Sequence, residues 1–175
     1  IMHPARKTLE KLGLEVKYEA TRSTGPGGQH RNRVATAIRV THLPTNVSAM
    51  GTESRSQLKN KTMALYRLRN KLALHHRSEI GDADLCPPAA YVPSEAWMKR
   101  LKGQKIKVSI NHDDFPALLA EVLDRLHIDL DDIGETATAF RVSNSQLIKF
   151  LASEPHALHE LNERRKKSGH KPLRS

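Results

Sequence analysis

Apolar and polar positions alternate through the first eighty residues in a way that predicts a small sheet covered by one helix. Residues 14–19 and 37–43 have the two-residue period of half-buried strands, and residues 47–50 follow the turn at 44–46 as a returning hairpin strand. Ser54 is the predicted cap of a long helix that runs to about residue 76. Four leucines at helical spacing are predicted to face the sheet: Leu58, Leu65, Leu68 and Leu72.

The pattern becomes helical beyond residue 80. Residues 81–93 contain three prolines and no periodicity, so they predict a linker. Helices are predicted over 94–102, 115–126, 131–140, 143–151 and from Pro155 to about 167, with 105–110 as a strand or an extended connector. Residues 168–175 are expected to form a mobile basic tail. The predicted class is α+β: a small mixed sheet with a long covering helix and a projecting loop over 1–80, then an all-α domain over 94–167.

The distribution of charge indicates a class of binding partner for the first domain only. The formal net charge is +10; residues 1–80 contain fifteen Lys and Arg against five Asp and Glu, and the other residues contain fourteen of each. A basic excess confined to one domain favours a polyanionic partner. The 4% aromatic content disfavours single-strand binding on stacked aromatic rings.

The single cysteine and the hydropathy profile bear on location. Cys86 has no second cysteine to pair with in the chain, which is compatible with a reducing compartment. No apolar run reaches membrane-spanning length, and no signal peptide is recognisable. We therefore expect a cytoplasmic protein with no membrane partner, and an organellar location is left open.

The candidate chemistry lies in the loop between the first two predicted strands. Gly25, Gly27 and Gly28 fall within four positions and are interrupted only by Pro26. Glycine permits backbone angles and close approaches that a side chain would prevent. Gln29 follows, and its amide both donates and accepts hydrogen bonds. Such a loop suits a catalytic tip that acts through its backbone on an RNA-linked ester.

The loop and three later blocks together resemble a known family. Residues 23–33 read Ser-Thr-Gly-Pro-Gly-Gly-Gln-His-Arg-Asn-Arg, similar to the Ser-Gly-x-Gly-Gly-Gln-His-x-Asn-Lys hallmark of class I peptide chain release factors and their ribosome-rescue relatives. Residues 37–45, the Glu-Ser-Arg-Ser-Gln block at 53–57 and the Lys-Asn-Lys block at 59–61 also resemble the family in the same order. Val34 departs from the family's threonine. The resemblance covers about residues 14–74.

This resemblance implies an enzyme that hydrolyses the peptidyl-tRNA ester and depends on the ribosome. Gly27 and Gly28 would let the backbone approach the ester, while the backbone amide of Gln29 stabilises the oxyanion and its side chain shapes the water site. The implied partners are the ribosome, through rRNA and peptidyl-tRNA, and a glutamine methyltransferase acting on Gln29. No cofactor or metal is implied. The implied RNA-binding residues are Arg22, Arg31, Asn32, Arg33, Arg55, Lys59 and Lys61.

The resemblance leaves two functions open. No part of the sequence resembles the stop-codon-reading modules of full-length release factors, which favours codon-independent rescue of stalled ribosomes. The alternative is a non-catalytic module that uses the domain only to dock on the ribosome or on RNA. The intact Gly27-Gly28-Gln29 favours the enzyme, since docking alone would not require it.

For three other features of the sequence, a structural role is favoured over a functional one. Residues 137–151 resemble a helix-turn-helix, but Arg141 occupies the turn position often held by glycine, and the second helix is barely basic. Two packed helices of a bundle are therefore favoured over a groove-reading pair. His30 is interpreted as a packing residue rather than a general base, because no nucleophile accompanies it. The remaining candidates, His75, His76, Cys86 and His112, lack metal-ligand spacing.

Overall fold

The computed structural model describes residues 2–22 and 35–175, which form two compact units, Met2–His76 and Arg77–Ser175. The N-terminal unit contains helix α1 (Leu9–Gly13), strands β1 (Val16–Thr21), β2 (Ala37–His42) and β3 (Ser48–Gly51), and helix α2 (Gln57–His75). The α+β class is confirmed. The finer division into a linker over 81–93, a helical domain and a tail stays a prediction.

The three strands form one antiparallel sheet in the order β1-β2-β3, where a mixed sheet was expected. The tight connection over residues 43–47 explains this, because so short a turn can only reverse the chain. Asn46 provides the left-handed residue of that turn at φ 58°. Strand β1 pairs with β2 from Val16 opposite His42 to Thr21 opposite Ala37. The sheet therefore ends at the Thr21–Ala37 pair, where the chain leaves β1 and returns to β2.

Helix α2 covers the sheet with part of the predicted apolar face. Leu65, Leu68 and Leu72 are buried, but Leu58 is 74% exposed, so its predicted inward position is wrong. The cap was also misplaced by two residues. Ser56, not Ser54, caps the helix by accepting a hydrogen bond from the Lys59 amide at 3.4 Å. Leu58 lies in the first turn of α2, whereas the three buried leucines lie further along the helix.

Gly51 sets the distance between the sheet and helix α2. A β-carbon at this position would lie 2.0 Å from the backbone oxygen of Asn60, closer than any side chain can tolerate. The last residue of β3 therefore packs directly on the helix backbone, and only glycine permits that approach.

The C-terminal unit is mainly helical. Its helices are α3 (Glu95–Met98), α4 (Phe115–Ile128), α5 (Ile133–Ala139), α6 (Asn144–Ala152) and α7 (Pro155–Lys167). The expectation of an all-α segment is corrected by a short hairpin of β4 (Leu101–Lys102) and β5 (Lys105–Ile106). Gly103, which was expected to end a helix over 94–102, instead makes the hairpin turn at φ 57°. A four-residue 3₁₀ turn lies at Asp82–Leu85, and a three-residue 3₁₀ turn lies at Pro88–Ala90.

An aromatic cluster forms the core of this unit. The Trp97 ring centroid lies 4.6 Å from that of Phe140 and 5.3 Å from that of Phe150. The Trp97 indole N–H donates to the Phe140 carbonyl at 3.0 Å, so the buried polar atom of the ring is satisfied. Phe115 joins the cluster through Phe150 at a centroid distance of 5.5 Å. The cluster links α3, α4, the α5–α6 turn and α6.

Two buried polar residues of α4 attach residues 84–94 to that helix. The Glu121 carboxylate accepts hydrogen bonds from the Tyr91 hydroxyl at 3.0 Å and from the Ser94 amide at 2.7 Å. Arg125 donates to the Cys86 carbonyl at 3.1 Å and pairs with Asp129 at 2.7 Å. The segment without periodicity is thus held by charged side chains as well as by packing, since the Tyr91 ring lies 5.4 Å from that of Phe140.

The basic tail folds back on α7, which differs from the mobile tail expected from its composition. Asn162 donates to the Leu173 carbonyl at 3.0 Å and accepts from the Leu173 amide at 2.7 Å. Its amide thereby imitates the pairing of a β-ladder. Arg165 also donates to the Lys171 carbonyl at 3.3 Å, and neither contact is revealed by the charge content of the tail.

Candidate catalytic loop and its support

The loop that carries the predicted chemistry is attached to the open end of the β1–β2 pair. Residues 23–34 lie outside the described residues, so the predicted roles of Gly27, Gly28, Gln29, Arg31, Asn32 and Arg33 stay predictions. The residues on either side are described. Arg22 follows β1 and is exposed, and Ala35 and Thr36 precede β2. The Thr21–Ala37 pair fixes the separation of these two ends.

Asn60 binds the stem of the loop to helix α2. Its side chain is fully buried, and its amide nitrogen donates to the Thr36 carbonyl at 2.7 Å and to the Ser54 carbonyl at 2.8 Å. Its amide oxygen accepts from the Ser54 N–H at 2.9 Å. One side chain therefore joins the returning end of the loop to the segment before α2. A buried asparagine is tolerated here because both of its polar atoms are satisfied.

Gln57 makes a second attachment at the same place. Its amide nitrogen donates to the Ala35 carbonyl, one residue closer to the loop than the contact of Asn60. Two consecutive carbonyls of the stem are thus bound by side chains from the first turn of α2. Sequence reasoning assigned neither residue a role, although both lie in the Ser-Gln and Lys-Asn-Lys blocks that carry the family resemblance.

Three of the predicted RNA-binding cations surround this end of the domain. Arg55 and Lys59 are exposed neighbours of Gln57, and Arg22 is exposed at the end of β1. Lys61 lies one turn further along α2, with its ammonium 4.2 Å from the centre of the Tyr18 ring. That contact orients Lys61 over β1 while leaving it exposed. The structure therefore brings Arg22, Arg55 and Lys59 to the loop end.

Three other cations of α2 bind backbone carbonyls of the N-terminal unit itself. Arg69 is 3% exposed and donates to the Ala5 carbonyl at 3.3 Å. Arg67 donates to the Met50 carbonyl at 2.8 Å and forms an ion pair with Glu53. Lys71 donates to the Ser48 carbonyl at 2.9 Å. The spacing of cations along a helix does not distinguish these contacts from a phosphate-binding face.

Two carboxylates of the N-terminal unit have lowered pKa values. The hydrogen bond from the Arg67 guanidinium lowers the pKa of Glu53 to about 2. Hydrogen bonds from Lys7 and His42 lower the pKa of Glu15. His42 is buried, with Nε2 3.1 Å from Glu15 and Nδ1 2.8 Å from the Thr45 hydroxyl. These groups join secondary-structure elements, and neither carboxylate contacts the loop stem in the described hydrogen bonds.

The described residues provide neither a metal-binding cluster nor a membrane-spanning helix. Within residues 2–22 and 35–175, no three His, Cys, Asp or Glu side chains come together in a group able to hold a metal ion. In the same part of the chain, no helix combines the length and the apolar character that crossing a bilayer requires.

Comparison with known families identifies the domain. Residues 12–84 match the RF-1 domain, and this segment contains β1, the glycine loop, the stem and helix α2. This segment of the chain is similar to the corresponding domain of class I peptide chain release factors. The resemblance inferred from the loop and its three blocks is confirmed.

Individual relatives match over the same kind of short segment. The chain is 52% identical over 68 residues to the chloroplastic peptide chain release factor PrfB1 of Arabidopsis thaliana, which covers 36% of this chain and 15% of the relative. It is 43% identical over 88 residues to a putative mitochondrial peptide chain release factor 1 of Schizosaccharomyces pombe, covering 50% and 22%. It is 44% identical over 69 residues to peptide chain release factor 1 of Rhodospirillum rubrum, covering 39% and 20%. The matched segment is therefore a minor part of each of these relatives.

Proposed function

We propose that this chain hydrolyses the ester of peptidyl-tRNA on the ribosome. The observation that carries the proposal is the RF-1 domain match over residues 12–84, which contains an intact Gly27-Gly28-Gln29 between two paired strands. The exposed Arg22, Arg55 and Lys59 around the loop end support an RNA environment for that loop.

The chemistry of the proposed reaction is acyl transfer to water. The water oxygen attacks the ester carbonyl carbon, and negative charge develops on the carbonyl oxygen. The ester bond to the ribose then breaks, which leaves a terminal tRNA hydroxyl and a free peptide carboxylate. Preorganised N–H donors are the groups that stabilise such an oxyanion best, and the Gln29 backbone amide would provide one. The Gln29 side chain would help to position the water.

The support of the stem explains how a loop without catalytic side-chain acids or bases could be effective. A backbone donor contributes to the rate only when its direction is fixed relative to the reacting atoms. Gln57 and Asn60 bind the carbonyls of Ala35 and Thr36. These contacts would reduce the freedom of the returning end of the loop, so that ribosomal contacts need to order fewer residues.

The proposal includes codon independence, with stalled ribosomes as the substrate. The helical unit Arg77–Ser175 follows the RF-1 domain in this chain and would provide the contact that selects the ribosome. Methylation of Gln29 by a glutamine methyltransferase is a further part of the proposal. Intact-mass and peptide mass spectrometry of the protein from its own cells would detect the added methyl group.

The deciding experiment measures release of labelled peptide from ribosomes stalled on an mRNA without a stop codon. Wild-type protein should release the peptide, while Gly27→Ala and Gln29→Ala should each release much less at equal ribosome occupancy. The enzymatic proposal is contradicted if the wild type releases no peptide, or if both variants release as much peptide as the wild type. Binding without release would instead support the docking module. A strong preference for ribosomes paused at a stop codon contradicts codon independence.

A further inference from the structure

The cations of the C-terminal unit are concentrated in one segment although the charges of residues 81–175 balance. Five Lys or Arg fall within residues 99–107, and residues 96–112 contain no Asp or Glu. The carboxylates lie on either side of this segment, in residues 82–95 and 113–163. Residues 96–112 are therefore positively charged, although the formal charge of residues 81–175 is zero.

The β4–β5 hairpin presents these cations in an arrangement that is unfavourable without an anion. Lys102 lies directly opposite Lys105 in the antiparallel pair, and both are exposed. Like charges at directly opposed positions destabilise a two-stranded ribbon. Lys107 follows β5 and is also exposed. Within the part of the chain that the structure describes, no carboxylate forms an ion pair with Lys102, Lys105 or Lys107.

The hairpin lies against the start of α6, the second helix of the pair that resembles a helix-turn-helix. The Gln104 carbonyl at the hairpin tip accepts a hydrogen bond from the Ser143 N–H at 3.4 Å. Ser143 caps α6, and the following Asn144, Ser145 and Lys149 are exposed. Arg141 makes the turn between α5 and α6 at φ 58° and is exposed as well. The hairpin therefore adds the cations that α6 itself lacks.

A broad depression of about 820 Å³ continues this surface at the base of the hairpin. Its lining includes Lys99, Arg100, Lys107 and His112. Two of these are balanced by nearby carboxylates: Lys99 pairs with Glu95 at 2.8 Å, and Arg100 pairs with Asp114. The free charge of the surface is thus greatest at the hairpin strands.

We propose that the hairpin and the start of α6 bind the phosphate backbone of a nucleic-acid duplex. Hereafter this surface, defined by Lys102, Lys105, Lys107, Arg141 and Lys149, is the hairpin face. Lysine ammonium groups and exposed hydroxyl and amide groups suit phosphate oxygens. Single strands are bound on exposed aromatic rings, whereas the aromatic side chain nearest this face in sequence, Trp97, is fully buried. The hairpin face does not depend on the proposed hydrolysis.

The test is equilibrium binding of the full chain to a short RNA duplex, a DNA duplex of matching sequence and single-stranded RNA. The variant combines Lys102→Gln, Lys105→Gln and Lys107→Gln. Each lost phosphate contact lowers the slope of log affinity against log salt by roughly 0.9 on a duplex, so we expect a decrease of roughly 2 to 3. At about 0.1 M salt the dissociation constant for the preferred duplex should rise at least roughly tenfold. Adding Lys149→Gln should lower the slope by roughly one more.

The matched control removes the same charge near the C-terminal end of the chain, through Lys166→Gln and Lys167→Gln in the last turn of α7 and Lys171→Gln in the tail, all at exposed positions. It should leave most of the salt slope intact. Equal losses in both triple variants would show a general charge effect and overturn the hairpin face. Unchanged duplex binding by the hairpin variant would do the same. The RNA and DNA arms identify which duplex is preferred, and tighter binding of single-stranded RNA than of either duplex contradicts the proposal.

Failure of duplex binding by the hairpin face can be distinguished from failure of the proposed ester hydrolysis. The binding measurement contains no ribosome and no ester, so loss of peptide release cannot alter it. All three hairpin lysines are exposed, and circular dichroism of the variant should match the wild type.

Discussion

Asn60 joins the loop stem, the segment before α2 and the helix, so its replacement should destabilise the N-terminal unit. Asn60→Ala removes three hydrogen bonds, to the Thr36 carbonyl, the Ser54 carbonyl and the Ser54 amide. Each is worth about 1 kcal/mol net, so we expect a loss of about 3 kcal/mol in the free energy of unfolding. Asn60→Asp keeps the size and the acceptor but points a carboxylate at two carbonyls. It should cost at least as much.

Urea unfolding followed by far-UV circular dichroism measures this change. The fluorescence of Trp97, the only tryptophan, follows the C-terminal unit and tells whether a shift extends to it. Asn70→Ala is the matched control on the same helix, because the Asn70 side-chain oxygen is buried without a hydrogen-bond partner. It should be neutral or stabilising, since alanine also favours the helix. A free energy for Asn60→Ala within about 0.5 kcal/mol of wild type would refute the reasoning, given a net worth of about 1 kcal/mol per bond.

Three further predictions concern other contacts. Gly51→Ala should lower the free energy of unfolding of the N-terminal unit by about 3 kcal/mol, because its β-carbon would lie 2.0 Å from the Asn60 oxygen; an unchanged urea midpoint would contradict this. Glu53→Gln should reduce the free energy of unfolding at neutral pH but not near pH 2. Ionised Glu53 stabilises the fold fully above its ordinary pKa of 4.5, and this stabilisation is lost as the pH falls through the folded-state pKa of about 2. A pH series of urea midpoints would show the two curves converging in acid, and parallel curves would exclude the ion pair as the cause. Glu121→Ala should cost the C-terminal unit about 3 kcal/mol, because it removes acceptors for Tyr91 and Ser94; thermal unfolding followed by Trp97 fluorescence measures it, and an unmoved midpoint would count against it.

The strands and the family resemblance could be recognised from sequence because local patterns define them, whereas the catalytic role of the loop stays a prediction. Period-two alternation located β1 and β2, and the glycine-rich run with its ordered blocks led to the family that the RF-1 match confirms. The predicted ends of the helices and strands were less accurate. Ser54 and Ser56 are equally good caps locally, and the choice depends on Asn60, six residues from Ser54, binding its backbone.

What the sequence could not show are contacts between distant positions. Arg69 and Lys61 are both cations of helix α2, yet Arg69 is buried and Lys61 is exposed; the contact of Arg69 with the distant Ala5 carbonyl is not visible in the local sequence. The hairpin was only partly anticipated: residues 105–110 were predicted as a strand or an extended connector, but β4 was placed in a helix, because two residues are too few for alternation to be recognised. The stem contacts of Gln57 and Asn60 escaped notice because a side-chain amide bound to a carbonyl more than twenty residues away leaves no local pattern.

The Thr21–Ala37 pair has a consequence for engineering. It holds the two ends of the loop at the spacing of neighbouring strands, the distance that a tight turn can close without any help from the intervening residues. We therefore expect residues 23–34 to be replaceable. A chain in which they are exchanged for a short Asn-Gly turn should keep its sheet, its covering helix and its cationic surroundings. Such a variant would separate the proposed ribosome attachment from the proposed ester cleavage without altering any residue of the frame.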